Sequence, residues 1–298
     1  MHQAGELDRV LNPNDTVIYH LSIGSPVAVQ FARVRARRVL YFQNISPPES
    51  ADPGNAIVAH YLRWGMADLA LLAPIVDLAI APSTFNADVL RRSGSQRIAV
   101  IPIPLDLARL RPRRSIPRSP LTMLFVGRFA PHKRQEELIR MLAAMRGTRC
   151  PDACLVLASG ASVPGYVAAL RRFAADLDVG DAVEIHETSL SDHAIGNLYA
   201  EASVFVCSSD HEGFCVPLLE AMAFSVPVLA YAAAAVPETV GSAGILVPHR
   251  DPLVWAELAF RLATDDSLRA RLNSAARERL LALDQEAIAA QLDAALAA

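Results

Sequence analysis

Aromatic residues are scarce in this chain, 6% of 298 residues, and none of its basic runs is interleaved with them. That excludes the stacking platforms by which proteins read single-stranded nucleic acid, and no nucleic-acid partner is expected. An excess of either charge is also missing. The formal net charge is −3 with 20% charged residues, which rules out a general polyanion binder, while 52% hydrophobic residues rule out a disordered chain. Only four cysteines occur, Cys150, Cys154, Cys207 and Cys215, with no CxxC pair and no histidine at zinc spacing, so reduced and largely buried thiols are expected rather than disulfides or a metal site. Long apolar runs are lacking as well. The most apolar stretch, "MADLALLAPIVDLAIAP", is interrupted by Asp68, Asp77 and prolines before it reaches membrane-spanning length. The opening "MHQAGELDRVLNPND" has neither the basic head nor the apolar run of a secretory signal, from which a cytoplasmic address is expected.

What is present is an alternation of short β-branched or apolar runs with longer amphipathic ones, the pattern of βα units around parallel sheets. Strands are expected at 16–22, 38–42, 78–82 and 98–103, then at 121–127, 154–158, 182–186, 203–207, 227–231 and 244–247. Between these sets, "LARLRPRRSIPRSP" replaces periodicity with proline and arginine. It reads as a linker over 107–120. The fold class is therefore α/β with two Rossmann-like domains, a short one over 1–106 and a complete one over 121–298 that ends in alanine-rich helices. Ser83 and Ser191 stand where they can cap helices. A doubly wound sheet of only four strands would leave edges and apolar helix faces uncovered, which favours self-association.

Two segments carry chemistry. In "FVGRFAPHKRQEELIRML" a strand ends at Gly127, a loop bears Arg128 and Lys133, and a helix begins near Gln135. Cations at a strand's carboxyl end beside a helix N-terminus make an anion pocket, and because they oppose the helix dipole they gain from an anion there. The alternative is a solvated helix start formed by Arg128, Lys133 and Arg134. The second segment is "SSDHEGFCVPLLEAMAFSVPVLAY". Its helix opens at Pro217, Gly213 allows close backbone approach, and the amides of Phe214, Cys215 and Val216 face out of the helix start. Glu212 lies on the loop and Glu220 one turn into the helix, an E-x7-E spacing; by itself Glu220 is equally a first-turn acid favoured by the dipole.

Together with "AVPETVGSAGILV", these segments resemble the retaining nucleotide-sugar glycosyltransferases of family four, the group one transferases of GT-B architecture. The resemblance covers the second domain and, through "TVIYHLSIGSP" and "VLYFQNISPPE", much of the first. It implies a hexosyltransferase whose partners are a nucleoside diphosphate sugar and a glycan or lipid-linked acceptor, with no metal cofactor. Arg128 and Lys133 would hold the donor diphosphate, Glu220 the nucleotide ribose, Glu212 the transferred sugar, and the amides after Gly213 the sugar or its phosphate. Two positions depart from the family: Gln43 replaces a histidine expected near the reacting sugar, and Ala234 replaces a glycine, which is acceptable if its φ is negative. The opening strand and helix that relatives carry are also expected to be missing from the start of the chain. A non-catalytic nucleotide-sugar binder and another GT-B activity, a phosphorylase or an epimerase, stand as alternatives. His20 would face the cleft, with a strand-end histidine as the plainer reading. Arginines 33, 35, 37, 38, 91, 92 and 97 leave open a peripheral contact with acidic lipids at the inner face of a membrane, although solvated helix ends are commoner. The five linker arginines, 109, 111, 113, 114 and 118, read as solvated.

Overall fold

The structure, a computed structural model, describes residues 11–50, 56–110 and 121–298. The ten expected strands all form within a few residues of their sequence bounds. β1 (Thr16–Leu21), β2 (Arg37–Phe42), β3 (Leu78–Ala81) and β4 (Ile98–Val100) make one parallel sheet in the order β1-β2-β3-β4. β5 (Thr122–Val126), β6 (Cys154–Ala158), β7 (Val183–His186), β8 (Val204–Cys207), β9 (Val228–Tyr231) and β10 (Gly244–Val247) make another, in the order β10-β9-β8-β5-β6-β7. Contacts divide the chain into two compact units, one of Met1–Ile103, Glu212–Phe214 and Ile288–Ala298, the other of Pro104–His211 and Cys215–Ala287.

In the first unit, helices α1 (Val27–Arg33), α2 (Ala56–Leu72) and α3 (Thr84–Arg92) connect the strands. β3 is buried throughout while β1, an edge strand, alternates between exposed and covered positions. Ile18, Val29, Ile57, Tyr61, Met66 and Leu71 are exposed. α3 starts at Ser83, whose Oγ accepts the Asn86 amide at 3.2 Å as the sequence leads one to expect. The turn after β1 needs glycine. The Gly24 amide donates to the Tyr61 carbonyl at 3.0 Å, and a Cβ on Gly24 would meet the Trp64 Cβ at 2.5 Å. Buried Asp68, on the same helix, accepts the Ser25 amide at 3.0 Å; burial pushes its carboxyl up and that amide partly offsets the rise.

In the second unit, β5, β6 and β8 run almost unbroken through the core, as strands covered on both faces must. α4 (Gln135–Thr148) and α5 (Tyr166–Asp176) join β5 to β7, and α6 (Asp192–Glu201) leads to β8. The Ser191 Oγ accepts the Ala194 amide at 3.3 Å at the start of α6. α7 (Val216–Ala223) and α8 (Val236–Val240) precede β9 and β10, and α9 (Pro252–Thr264), α10 (Asp266–Leu281) and α11 (Gln285–Ala297) close the chain. The expected assignment of all of 121–298 to one domain differs at this end: Ile288–Ala298 belongs by its contacts with the first unit, where an Arg37 guanidinium nitrogen donates to the Leu296 carbonyl. The expected linker overlaps the second unit at Leu107–Leu110, a short 3-10 turn, and its remainder, 111–120, lies outside the described residues.

Three of the four thiols, Cys150, Cys154 and Cys215, are only partly covered, and Cys207 is buried. The exposure of Cys154 comes from its place at the start of β6, ahead of the fully covered residues. Ala234 corrects another expectation. Its φ is +50°, in the left-handed region, because the chain must turn tightly between Tyr231 and the first residue of α8; the Val236 amide closes that turn on the Ala233 carbonyl at 3.0 Å. An L-residue with a Cβ is strained there, so Ala234→Gly is expected to stabilise the protein by about 1 kcal/mol, a rise of about 2–4 °C in Tm by calorimetry or circular dichroism. An unchanged or lowered Tm would mean that the turn relaxes without cost.

Candidate functional site

The second sheet reverses its direction of winding between β5 and β8. The chain moves from β5 outward to β6 and β7, then returns to β8 on β5's other side. In open parallel sheets, ligands bind beyond the carboxyl ends of the strands at such a point. Both chemistry-bearing segments leave the sheet there, one after β5 and one after β8. They are tied to each other: the Asp210 amide donates to the His132 carbonyl at 2.8 Å, and the Ser208 Oγ donates to the carbonyls of Lys133 at 2.9 Å and Arg134 at 2.7 Å.

Ionic contacts reinforce the junction. Asp210 accepts from the Arg134 Nε and from the Arg250 Nη2, each at 2.5 Å, and Arg250 also donates to the Ser208 carbonyl at 3.0 Å while its guanidinium lies 3.4 Å from the centre of the Tyr231 ring. Burial works to raise the Asp210 carboxyl, but bonds and charge from the two guanidinium groups outweigh it, and the net shift is downward. Arg134 takes φ +54° at the start of α4 and also meets Glu136 at 3.4 Å. Glu136 and Glu137 occupy the first turn of α4. The cations at this helix start are therefore offset by acids within the protein, so the helix dipole gives weaker support for a bound anion than the sequence suggests. Buried Gln135 closes the Arg128 loop by donating its Nε2 to the Arg128 carbonyl at 2.9 Å.

A cavity of about 350 Å³ opens at the carboxyl ends of β5 and β6. Gly127, Arg128, Ser159, Asp192, Glu220 and Arg109 are among the residues that wall it. Of the residues the sequence singled out, Gly127, Arg128 and Glu220 thus come together. Lys133 lies on the 3-10 turn Pro131–Lys133 and is not part of the cavity wall; Cys215, at φ +67°, and Val216 form the start of α7. Glu212, Gly213 and Phe214 group with the first unit. Within it, the Gly213 carbonyl accepts from the Ser83 Oγ at 2.8 Å and the Asn86 Nδ2 at 3.1 Å, and a Cβ on Gly213 would meet the Asn44 Cβ at 2.6 Å. Close approach at Gly213 is thus to protein groups in this structure.

Glu220 is 5% exposed, far more enclosed than a helix-capping acid needs to be. Its Oε1 accepts from the Arg109 Nη2 at 2.7 Å and its Oε2 from the Tyr199 hydroxyl at 2.8 Å. Arg109 also reaches the Asp192 Oδ1 at 2.9 Å. Arg109, which the sequence reads as a solvated linker residue, does stay exposed, but it also bonds two carboxylates on separate helices and joins the cavity wall. Burial first, and the Glu220 carboxylate second, hold the Tyr199 phenol well above its ordinary range, which keeps it a donor.

The family described as "Glycosyl transferases group 1" matches residues 108–279. This chain belongs to the group 1 glycosyltransferases. A D-inositol 3-phosphate glycosyltransferase of Streptomyces avermitilis is 30% identical over 219 residues, which are 67% of this chain and 47% of the relative. The chain thus spans about half the length of the curated relatives it matches. Among solved structures, sucrose-phosphate synthase from Thermosynechococcus elongatus superposes with a TM-score of 0.73 at 24% identity, over 93% of this chain and 72% of that one. Anabaena Alr3699/HepE, solved with UDP and glucose, gives 0.73 at 21% identity, over 91% and 75%. These likenesses assign the fold of this group 1 glycosyltransferase: two Rossmann-like domains of GT-B type.

Sequence reasoning missed four residues of the second unit: Arg109, Asp192, Tyr199 and Arg250. Their partners are 19 to 111 positions away in the chain, and no local pattern marks them. In the first unit, the Gln43 Nε2 lies 3.2 Å from the His20 Nδ1, so the substituted position has a histidine beside it. Arg37 and Arg38 are engaged within the protein, by Leu296 and by Asp77, rather than standing free as a basic surface. Among the described residues, no helix is long and apolar enough to cross a membrane.

The depressed Asp210 carboxyl gives a pH signature. A group held below its unfolded value of 3.8 contributes stability above that pH and loses it as pH falls through the folded value. Asp210→Asn should therefore unfold at a lower temperature than the parent near neutral pH, and the gap should close below about pH 4. Thermal unfolding followed between pH 7 and pH 3 checks this; a gap that does not change with pH would mean that the two arginines contribute nothing through the Asp210 charge.

Proposed function

We propose that this chain transfers a hexose from a nucleoside diphosphate sugar to a hydroxyl of a glycan or lipid-linked acceptor, with retention of configuration. The observation that carries the reading is the meeting of Arg128 with the enclosed Glu220 carboxylate in one cavity at the sheet's switch point. A cation and a fixed acceptor in one cavity suit a ligand that carries both phosphate and hydroxyls. The Anabaena protein solved with UDP and glucose supports the same ligand class through its fold.

In this reading the donor's anomeric carbon–oxygen bond breaks and the departing diphosphate gains charge, which Arg128 and Lys133 stabilise without a metal ion. Glu220 accepts from the ribose, and Glu212 contacts the transferred sugar. The acceptor hydroxyl gives its proton to a donor phosphate oxygen as its own oxygen bonds the anomeric carbon from the same face. Gln43 orients a hydroxyl but takes no proton. The relatives' name specifies a phosphorylated polyol as their acceptor, and that compound is a first acceptor to try. The chain acts at the cytoplasmic side.

Titration calorimetry with UDP, GDP and ADP, followed by donor turnover with the matching glucose sugars, tests the reading. Replacing Arg128 and Lys133 together by alanine should weaken the preferred diphosphate about a hundredfold or more, the equivalent of roughly 3 kcal/mol for two charge-assisted contacts. Parent-like affinity in the folded double variant would place the diphosphate elsewhere. Tight binding without donor turnover in the parent would favour the non-catalytic binder, the alternative that Gln43 brings in.

A further inference from the structure

Arg109 is the least expected member of the cavity wall. It reaches the site from the 3-10 turn Leu107–Leu110, which is anchored by Leu110 at 1% exposure, and it bridges two acids that belong to different helices, Glu220 of α7 and Asp192 of α6. Arg109 and Arg128 balance Asp192 and Glu220 on the cavity wall. Without Arg109, an enclosed carboxylate would face an anionic ligand uncompensated, and repulsion between them would be little screened at such a site.

The geometry of Glu220 adds a second constraint. A carboxylate offers about four acceptor positions. Arg109 fills one on Oε1 and Tyr199 fills one on Oε2, which leaves one on each oxygen. Two acceptor positions, one on each oxygen of a carboxylate fixed at both, are what a vicinal diol requires.

We propose that Arg109 is a positioning and specificity residue of the nucleotide site: it fixes the Glu220 carboxylate for a ribose diol and cancels its charge next to the diphosphate. The proposal rests on the reading of this cavity as the nucleotide site. Arg109 acts through Glu220, so its removal must alter how well the site distinguishes ribose from deoxyribose. A residue with only a structural role would weaken both sugars alike.

The test is calorimetric titration of the full chain with UDP, GDP and ADP and with their 2′-deoxy forms, for the parent, Arg109→Ala, Glu220→Gln and the double variant. Arg109→Ala should bind the preferred ribonucleotide roughly tenfold or more weakly, the loss expected for a charge-assisted bond, and should retain less than half of the parent's preference for ribose. In the Glu220→Gln background the same change should have little further effect on that preference. Should Arg109→Ala fail to fold, Arg109→Gln keeps the volume and carries the same comparison. Parent-like affinity and ribose preference in a folded Arg109 variant would overturn the proposal while a loss in Glu220→Gln leaves the nucleotide site standing. An equal loss for ribose and deoxyribose would also overturn it, since Arg109 would then be a plain cation. If the parent binds none of the three diphosphates, both readings fall.

Discussion

The junction between the two chemistry-bearing loops depends on Asp210. This one carboxylate, between the guanidinium groups of Arg134 and Arg250, joins the loop after β8 to the start of α4 and, through Arg250 on Tyr231, to the end of β9. Parallel strands give a site its platform, but the loops that leave them are joined only by the bonds they make to one another. The bonds from Ser208 Oγ and the Asp210 amide complete the junction with backbone groups, so the two chemistry-bearing segments hold one geometry before any ligand arrives. Preorganisation of this kind spares a binding site the cost of ordering its loops.

The same economy governs Glu220. A carboxylate almost removed from water is costly unless its charge is met and its oxygens are bonded, and here Arg109 and Tyr199 do both. Their contacts fix Glu220 as an acceptor, and since the helix begins at Val216 the carboxylate lies beyond its first turn, against the expectation of a first-turn acid. The cavity wall then carries fixed groups of both signs, which matches a ligand with an anionic end and a neutral, hydroxylated end better than a simple anion.

The first unit follows simpler rules. Its four strands run in sequence order, and the departures from expectation come from individual contacts: Gln43 beside His20, Arg37 on the last turn of α11, Gly213 under Ser83 and Asn86. Each of these joins residues remote in sequence. The basic positions that the sequence left open to acidic lipids are partly used up in this way, because a guanidinium near an unpaired carbonyl or carboxylate bonds it.

All ten strands, the capping serines and a helix opening within a residue of Pro217 were legible in the sequence, since each rests on hydrophobic periodicity or on turn and cap chemistry within a few residues. Family membership was legible too, because motif residues are spaced along single loops. Tertiary structure alone decided that Arg109 faces two carboxylates, that Asp210 is held by Arg134 and Arg250, that Ala234 is forced to a positive φ, and that the last turns of α11 pack with the first unit. Long charged side chains take whichever partner folding brings within a few ångströms. That choice is made across the fold, by distances that no local pattern of residues encodes.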